Sequence, residues 1–527
     1  VDLALATSQS AQHSPSQAGA SPRASRSWWI AAVTTAAVAV RLVGVTQPLV
    51  GTFATKHCVY AMIARNWAEG RAEFWQPTLD CLAPASDERA WHLMEWPASA
   101  FVAACGYRWF GGDLDVWGRG VSIFCMAAAT VLSYLLARRW FGEAAARATS
   151  IVIAFAPIGV IYGRGFMLEP SLVALSFATL YAFDRWCRGG SAWWLLPAGA
   201  AFALAMLTKF YMALLCLGLF VSIWRHRPTS RIYQAAIPCL TVIALLPLTA
   251  WFYWLTTVSP VYGRASEYHP ETRADVHGIP HSLLADPSYY VGVLGNMATV
   301  TLTPLGLLLA VVGLTDRRAR WLLPWLGLSC GLLFLLPLKF HVANYYYLNL
   351  LAPAALLVGL GWQSAVERFA PSAKLTTALV ACSLLIAARY AIGPTWRVHE
   401  EDRAVLAAAE ELQALAAVEE PVATLHGSTL DLLYYCDRRG WALDAGDQHV
   451  EFRLQLAVEH GAKRLVVVHP AHLAKNERLT RWLSSRPLER SGDDWQIYRL
   501  DGSPQQNVVA PKAAEFPPHP ARRTVAR

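Results

Sequence analysis

Residues 57–70, HCVYAMIARNWAEG, and 96–111, WPASAFVAACGYRWFG, decide how this chain is read. In the first, Val59, Met62, Ile63 and Trp67 recur at i, i+3, i+4 and i+8, the stripe of a helix lying on a surface. The second opens near a proline suited to a first helical turn and is short for a membrane span of about 20 residues. Both lie in the stretch Thr46 to Gly111, between an apolar span at 28–46 and the next, which starts near Leu114. Asp80, Asp87, Glu88, His92 and Glu95 sit between them. The pattern predicts two interfacial helices holding a polar pocket against a membrane surface.

Composition sets the class. With 55% hydrophobic residues, 16% charged and 22 Trp in 527 residues, the chain is too apolar for a soluble enzyme of this length. The formal net charge of +8 does not point to nucleic acid, because the basic residues fall between apolar spans rather than on one folded face. Hydropathy places about eleven spans, near 28–46, 114–137, 148–164, 170–186, 192–207, 210–224, 233–255, 292–314, 321–338, 345–361 and 375–392. Arg138, Arg139, Arg147, Arg185, Arg188, Arg225, Arg227, Arg231, Arg317, Arg318, Arg320, Arg368 and Lys374 all follow even-numbered spans. They share a side with Arg23 and Arg26, which keeps the N-terminus cytoplasmic by the positive-inside rule. Residues 46–111, 256–291 and everything after 393 then face outward.

Residues 1–27 lack periodicity and read as a disordered cytoplasmic tail. The 28–46 run is long for a signal peptide and shows no small-x-small site before Arg41, so it is read as a retained span. Residues 28–392 form the membrane domain. Beyond it, helical patterns at 401–417, DLLYYCDRRGW, FRLQLAVEHGA and a run through Trp482 alternate with the strand-like PVATLHG, RLVVVHP and WQIYRL. Residues 393–501 therefore read as a small α/β domain, and 502–527 as a disordered tail. Cys58 and Cys81 share the first outer segment, where an oxidising compartment would let them pair. With no CxxC pair and no HExxH, a structural zinc site is not indicated.

Chemistry is sought among ionisable groups that a bilayer protein otherwise avoids. Arg41 closes the first span, Arg164 and Glu169 straddle the exit of the third in YGRGFMLEPS, Lys209 lies in LTKF, and Lys339, His341 and Asn344 follow the ninth. On the topology above all of them reach the outer face. Carboxylates among cations at a membrane surface suit an anionic lipid head group and a general base.

At these residues the chain resembles the GT-C membrane glycosyltransferases, in particular the protein mannosyltransferase and aminoarabinose-transferase-like superfamily of glycosyltransferase family 39. YGRGFMLEPSLVAL, LTKF and LPLKFHVANYYYLNLLAPAALLVG carry the resemblance, which covers roughly 28–392. It implies an all-α polytopic membrane protein with juxtamembrane helices in the first outer loop, here with a small C-terminal α/β extracytoplasmic domain. It also implies transfer of a sugar from a polyprenyl-phosphate carrier to an envelope glycan, lipid or protein, generally with inversion, in the plasma membrane. The second acidic position of the family falls on Glu169. The first departs: where an Asp-Glu pair is usual, this chain has Lys56-His57. It looks most like a branch with an acidic residue before the proline of the second loop helix, where Glu95 stands.

Glu95, Glu169 and Asp80 are thus the candidate bases, each with the bland alternative of a carboxylate that only fixes the loop. Lys56, Arg164, Lys209, Lys339 and His341 are candidates for the donor phosphate, the alternative being cations that snorkel. A divalent metal held by His57 and His92 with Asp80 or Glu95 is weakly signalled, so no metal ligand is assigned. Tyr345, Tyr346 and Tyr347 read first as an interfacial belt and second as a sugar platform, and Arg41 as helix anchor or site residue. A competing reading is a transporter or flippase for lipid-linked sugar, or a non-catalytic binder of one. Against it, the charges cluster at span ends rather than mid-bilayer, and no internal repeat is visible.

Overall fold

The computed structural model describes residues 22–51, 53–82, 88–92, 95–189, 191–214, 231–262, 281–369, 383, 387, 397–427 and 429–501. The tails 1–21 and 502–527, and most of the spans expected at 210–224 and 375–392, lie outside them. The chain is mostly helical. Among the described residues, two helices, Leu114–Trp140 and Asn344–Phe369, are long and apolar enough to cross a membrane, and up to four spans are counted if each of two bent pairs is one. The expected count of eleven is therefore not reached by this measure.

The bundle begins with α1 (Pro22–Leu42), which starts ahead of the expected span. After the outer segment come α4 (Leu114–Trp140), α5 (Glu143–Phe155), α6 (Pro157–Ile161), α7 (Glu169–Cys187) and α8 (Leu195–Thr208). Pro157 cannot donate a helical hydrogen bond, and the chain bends there by 53° between α5 and the segment Pro157–Arg164. At one end of the bundle Asp184 on α7 accepts from Arg139 at 2.8 Å and Trp140 at 2.9 Å, both on α4. Close packing relies on small residues. A Cβ at Gly361 would lie 1.9 Å from the Leu309 carbonyl, and one at Gly359 2.1 Å from Thr149 Oγ1.

The outer segment departs from expectation. Helices form as predicted, α2 (Ala54–Ala68) and α3 (Ala98–Phe110). Between them, where only a polar pocket is expected, lies an antiparallel hairpin, β1 (Thr78–Leu82) and β2 (Arg89–Trp91). The C-terminal region supplies β3 (Val422–Leu425), β4 (Gly440–Leu443), β5 (Arg464–Val468), β6 (Leu488–Gly492) and β7 (Trp495–Arg499). Cys81 of β1 pairs with Gly440 of β4, making one seven-stranded sheet in the order β2-β1-β4-β3-β5-β7-β6. The β4, β3 and β5 strands run parallel, and β7 and β6 close the edge antiparallel.

One apolar core fills the space between outer segment and C-terminal sheet. Tyr60, Met62 and Ile63 of α2, Ala100 and Ala103 of α3, Val405 and Leu412 of the helix Glu400–Leu415, and Ile497 of β7 all belong to it. Polar contacts complete the join. Asp115, at the start of α4, accepts from Tyr434 and Tyr435, each at 2.7 Å. The Cys58–Cys81 pairing that an oxidising compartment would allow does not form. Cys58 on α2 points its thiol at the Leu49 carbonyl and Cys81 is committed to β1, so both stay buried as thiols.

Candidate active site

Chain direction gathers the site. The helix α7 begins at Glu169 and the following α8 ends at Thr208, with Lys209 just beyond it, so the antiparallel pair brings both residues to one end of the bundle. There the first turns of α2 offer Lys56 and Tyr60, one helical turn apart on one face. The residues after β2 add His92 and Glu95, held in place where the Trp96 amide donates to the Leu207 carbonyl at 3.1 Å.

Glu95 is the hub of a buried cluster. Its Oε1 accepts from Lys209 Nζ at 2.7 Å and from the Tyr60 hydroxyl at 2.8 Å, with Lys56 Nζ at 3.5 Å and His92 Nε2 at 3.6 Å. Burial pushes the Glu95 carboxyl up, but Lys209 and Lys56 outweigh it and hold the group well below the usual carboxylate range. Lys56 is pushed below its ordinary value by burial and by Lys209, against the pull of Glu95 and Glu169. Burial together with the Glu95 charge drives the Tyr60 hydroxyl well above its usual value. Two ammonium groups thus share the Glu95 carboxylate, Lys209 closely and Lys56 more loosely.

Glu169 is the counterpart. It is 1% exposed, and neither carboxylate oxygen has a hydrogen-bond partner among the described residues. Its charge acts on Lys56 and Tyr60, so it faces the same space. A buried carboxylate without hydrogen bonds carries a desolvation penalty of several kcal/mol, which marks a place built for a ligand or a proton. Aromatic rings wall this space. Tyr345 meets Phe53 edge-on at 5.3 Å and Tyr162 at 6.0 Å, and Tyr162 is hydrogen-bonded to Asn344. Tyr345 and Tyr347 are therefore buried, and the belt reading of that run is corrected.

Other sequence candidates fall elsewhere. Arg41 is 1% exposed and serves the helix break, donating to the carbonyls of Ala37 and Ala154 at 2.9 Å and Gly159 at 2.8 Å. Carbonyls at the bend absorb its donors, the arrangement of a helix anchor. Asp80 on β1 is clamped by Arg65 at 2.7 Å and Arg89 at 3.0 Å, away from Lys209. Arg164 holds the turn before α2 by donating to the Gly44 carbonyl at 2.8 Å and to Gln47 at 3.0 Å, beside Arg119, which donates to the same carbonyl. His341 is exposed next to the Tyr289 ring, while half-buried Lys339 lies one helical turn into Pro337–Val342.

His57 lies under Gly165, where a Cβ would come within 2.6 Å of the imidazole. Burial, then Arg119, pushes its pKa down to about 4, so it is neutral at physiological pH. Among the described residues no group of three or more His, Cys, Asp or Glu is placed to hold a metal ion. Sequence reasoning missed Tyr60, whose signal was its i+4 spacing from Lys56, and Arg119, which carried no motif at all.

Bent spans, outer juxtamembrane helices and a polar cluster at the bundle's end make a fold similar to that of solved membrane glycosyltransferases of the GT-C kind, which the sequence resemblance implied. Residues 95–254 match the family described as dolichyl-phosphate-mannose-protein mannosyltransferase. No curated protein matches the chain significantly in sequence. Among solved structures, ArnT from Cupriavidus metallidurans bound to undecaprenyl phosphate is similar with a TM-score of 0.60 and 15% identity, over 90% of this chain and 98% of that one. The Archaeoglobus fulgidus oligosaccharyltransferase tethered to an acceptor peptide matches at 0.53 and 12%, over 88% and 71%. Arabinofuranosyltransferase AftD from mycobacteria matches at 0.51 and 12%, over 91% and 42%. At these identities the likeness is one of fold.

Proposed function

We propose that this protein is an integral-membrane glycosyltransferase that moves a sugar from a polyprenyl-phosphate donor to a glycan, lipid or protein of the cell envelope, on the extracytoplasmic face and with inversion. Lys209 and Lys56 receive the donor phosphate, with Lys339 at the rim. Glu95 acts as a positioning residue that orients both lysines. Held strongly ionised, it is a weak base, and that argues against the role the sequence first suggests for it. Glu169 is the proposed base.

In the reaction an acceptor hydroxyl attacks the anomeric carbon and gives its proton to a Glu169 oxygen. The bond from the anomeric carbon to the phosphate oxygen breaks, and the polyprenyl phosphate leaves with the electron pair, its charge met by the lysines. Tyr345 and Tyr162 supply an aromatic wall for the sugar. No step calls for a metal. The observation that carries this reading is the buried Glu169 carboxylate, without hydrogen-bond partners among the described residues, facing the lysines that crowd Glu95.

Purified protein in lipid vesicles, given a panel of radiolabelled polyprenyl-phosphate sugars and an envelope extract, tests it. Transfer from at least one donor is expected. Donor binding without turnover from every donor would favour a lipid-sugar binder or flippase instead.

A further inference from the structure

A second charged site lies within the outer unit. Between the β1–β2 hairpin and the C-terminal sheet is a cavity of about 200 Å³, into which Arg71, Arg89, Arg438 and Arg439 project. The carboxylates lining it are largely committed. Asp80 is shared by Arg65 and Arg89, and Asp437 by Arg65 at 3.4 Å and Arg71 at 3.1 Å, which leaves Glu419 at the exposed rim. Arg438 spends its donors on backbone carbonyls, including Gln413 and Ala416, and is in no ion pair with a carboxylate among the described residues, though its charge acts on Asp437. Arg439 is partly buried, and its side chain has no hydrogen-bond or ion partner among the described residues, Nε included. With Arg65 behind the wall, five guanidiniums face four carboxylates among the described residues, Glu69 being paired with Arg71. Burial, with crowding by Arg71 and Arg439, pushes Arg89 below its ordinary value in spite of Asp80.

We propose that this cavity binds a phosphoryl group carried by the sugar acceptor, which makes the acceptor a phosphate-bearing envelope glycan or lipid. The acceptor assignment rests on the glycosyltransferase reading; the anion site does not. Converging planar guanidiniums match a phosphoryl dianion better than a monoanionic carboxylate, through paired N–H donors. The space exceeds by more than tenfold the roughly 10–15 Å³ that one water needs. It is also rigidly tied to the active site. Arg65, which clamps both lining aspartates, is nine residues beyond Lys56 on α2, about 13 Å along the axis, and β2 runs from Arg89 toward Glu95. A phosphate held here would set an acceptor at a fixed distance from Glu169.

The test uses full-length protein in phosphatidylcholine nanodiscs, in a Glu95→Gln, Lys209→Gln background that removes the donor cluster's buried pair together. Inorganic pyrophosphate is titrated by calorimetry. Saturable binding is expected, weakened roughly tenfold or more by Arg439→Gln, as befits a lost charged hydrogen bond, and largely kept by Arg439→Lys. Circular dichroism checks that both variants are folded, and Arg89→Gln provides an independent probe if Arg439→Gln is not. Absence of saturable binding, or an affinity unchanged from the parent background in both Arg439→Gln and Arg89→Gln, would overturn the site. Displacement of pyrophosphate when phosphatidylglycerol is added to the discs would assign the cavity to a lipid head group and overturn the acceptor assignment. If pyrophosphate binds as expected while the donor panel gives no transfer, the anion site stands and the proposed function falls.

Discussion

Glu95 and Lys209 are the pair on which the site's stability turns. Removing one member of a buried ion pair leaves an uncompensated charge and costs about 3–5 kcal/mol, whereas removing both costs far less. Lys209→Met is therefore expected to destabilise the protein by roughly that amount, and Glu95→Gln with Lys209→Met to recover most of it. Denaturant unfolding of the single and double variants measures this. Titration gives a second prediction. The His57 value is depressed to about 4 in the folded state, so its contribution is fully present above the usual imidazole value and is lost as pH falls through that window toward 4. The depressed Glu95 carboxyl acts lower, its contribution being lost only as pH falls below the ordinary carboxylate value of about 4.3. Thermal unfolding from pH 7 down to pH 4.5 should show a stability loss that His57→Gln reduces. An unchanged slope in that variant would refute the assignment. At this scale the sequence was a partial guide. Charge at span ends singled out Glu169 and Lys209, and the family resemblance singled out Lys56 and Glu95, of which Glu95, Lys209 and Lys56 form one cluster. Nothing in the local pattern distinguished them from Arg41, whose partners are backbone carbonyls exposed by a bend that hydropathy does not register.

The β1–β2 hairpin changes what the C-terminal region is for. Its strand β1 pairs with β4, and α2 and α3 share an apolar core with Glu400–Leu415 and β7. The C-terminal region is thereby the other half of the structure that presents Lys56 and Glu95, more than a cover over it. Ending the chain at 399 would strip that core and uncover the β1 edge, so the truncated protein should lose transfer, and limited proteolysis should cut it within 47–111. Retained transfer with an intact loop would contradict this. The hairpin was not legible because β1 is five residues long and β2 three, and the strand that ties β1 into the larger sheet, β4, lies over 300 residues away. The helices α2 and α3 were legible because an apolar stripe at helical spacing is a local signal. In the C-terminal region, continuous apolar runs such as RLVVV revealed the buried parallel strands. DLLYYCDRRGW hid a break, with the helix ending at Cys436 and β4 starting at Gly440.

For the whole molecule, bent spans and an outer unit converge on a space bounded by membrane helices on one side and a welded loop and sheet on the other. The class of fold was readable from hydropathy and motif order, which depend on summed composition. The number of spans rests on hydropathy, because two of the expected spans lie mostly outside the described residues and helices that bend or shorten inside a bundle escape a count by length. The central claim is a division of labour across that space: lysines for the phosphate, Glu169 for the proton. Its most direct measurement is a paired assay on one preparation, equilibrium binding of a polyprenyl-phosphate sugar and single-turnover transfer, for wild type and Glu169→Gln. Donor affinity within a few-fold of wild type with transfer lowered by about 10²–10⁴-fold, the usual weight of a general base, is the expected result. Transfer by Glu169→Gln at the wild-type rate would contradict it and return the proton to another group.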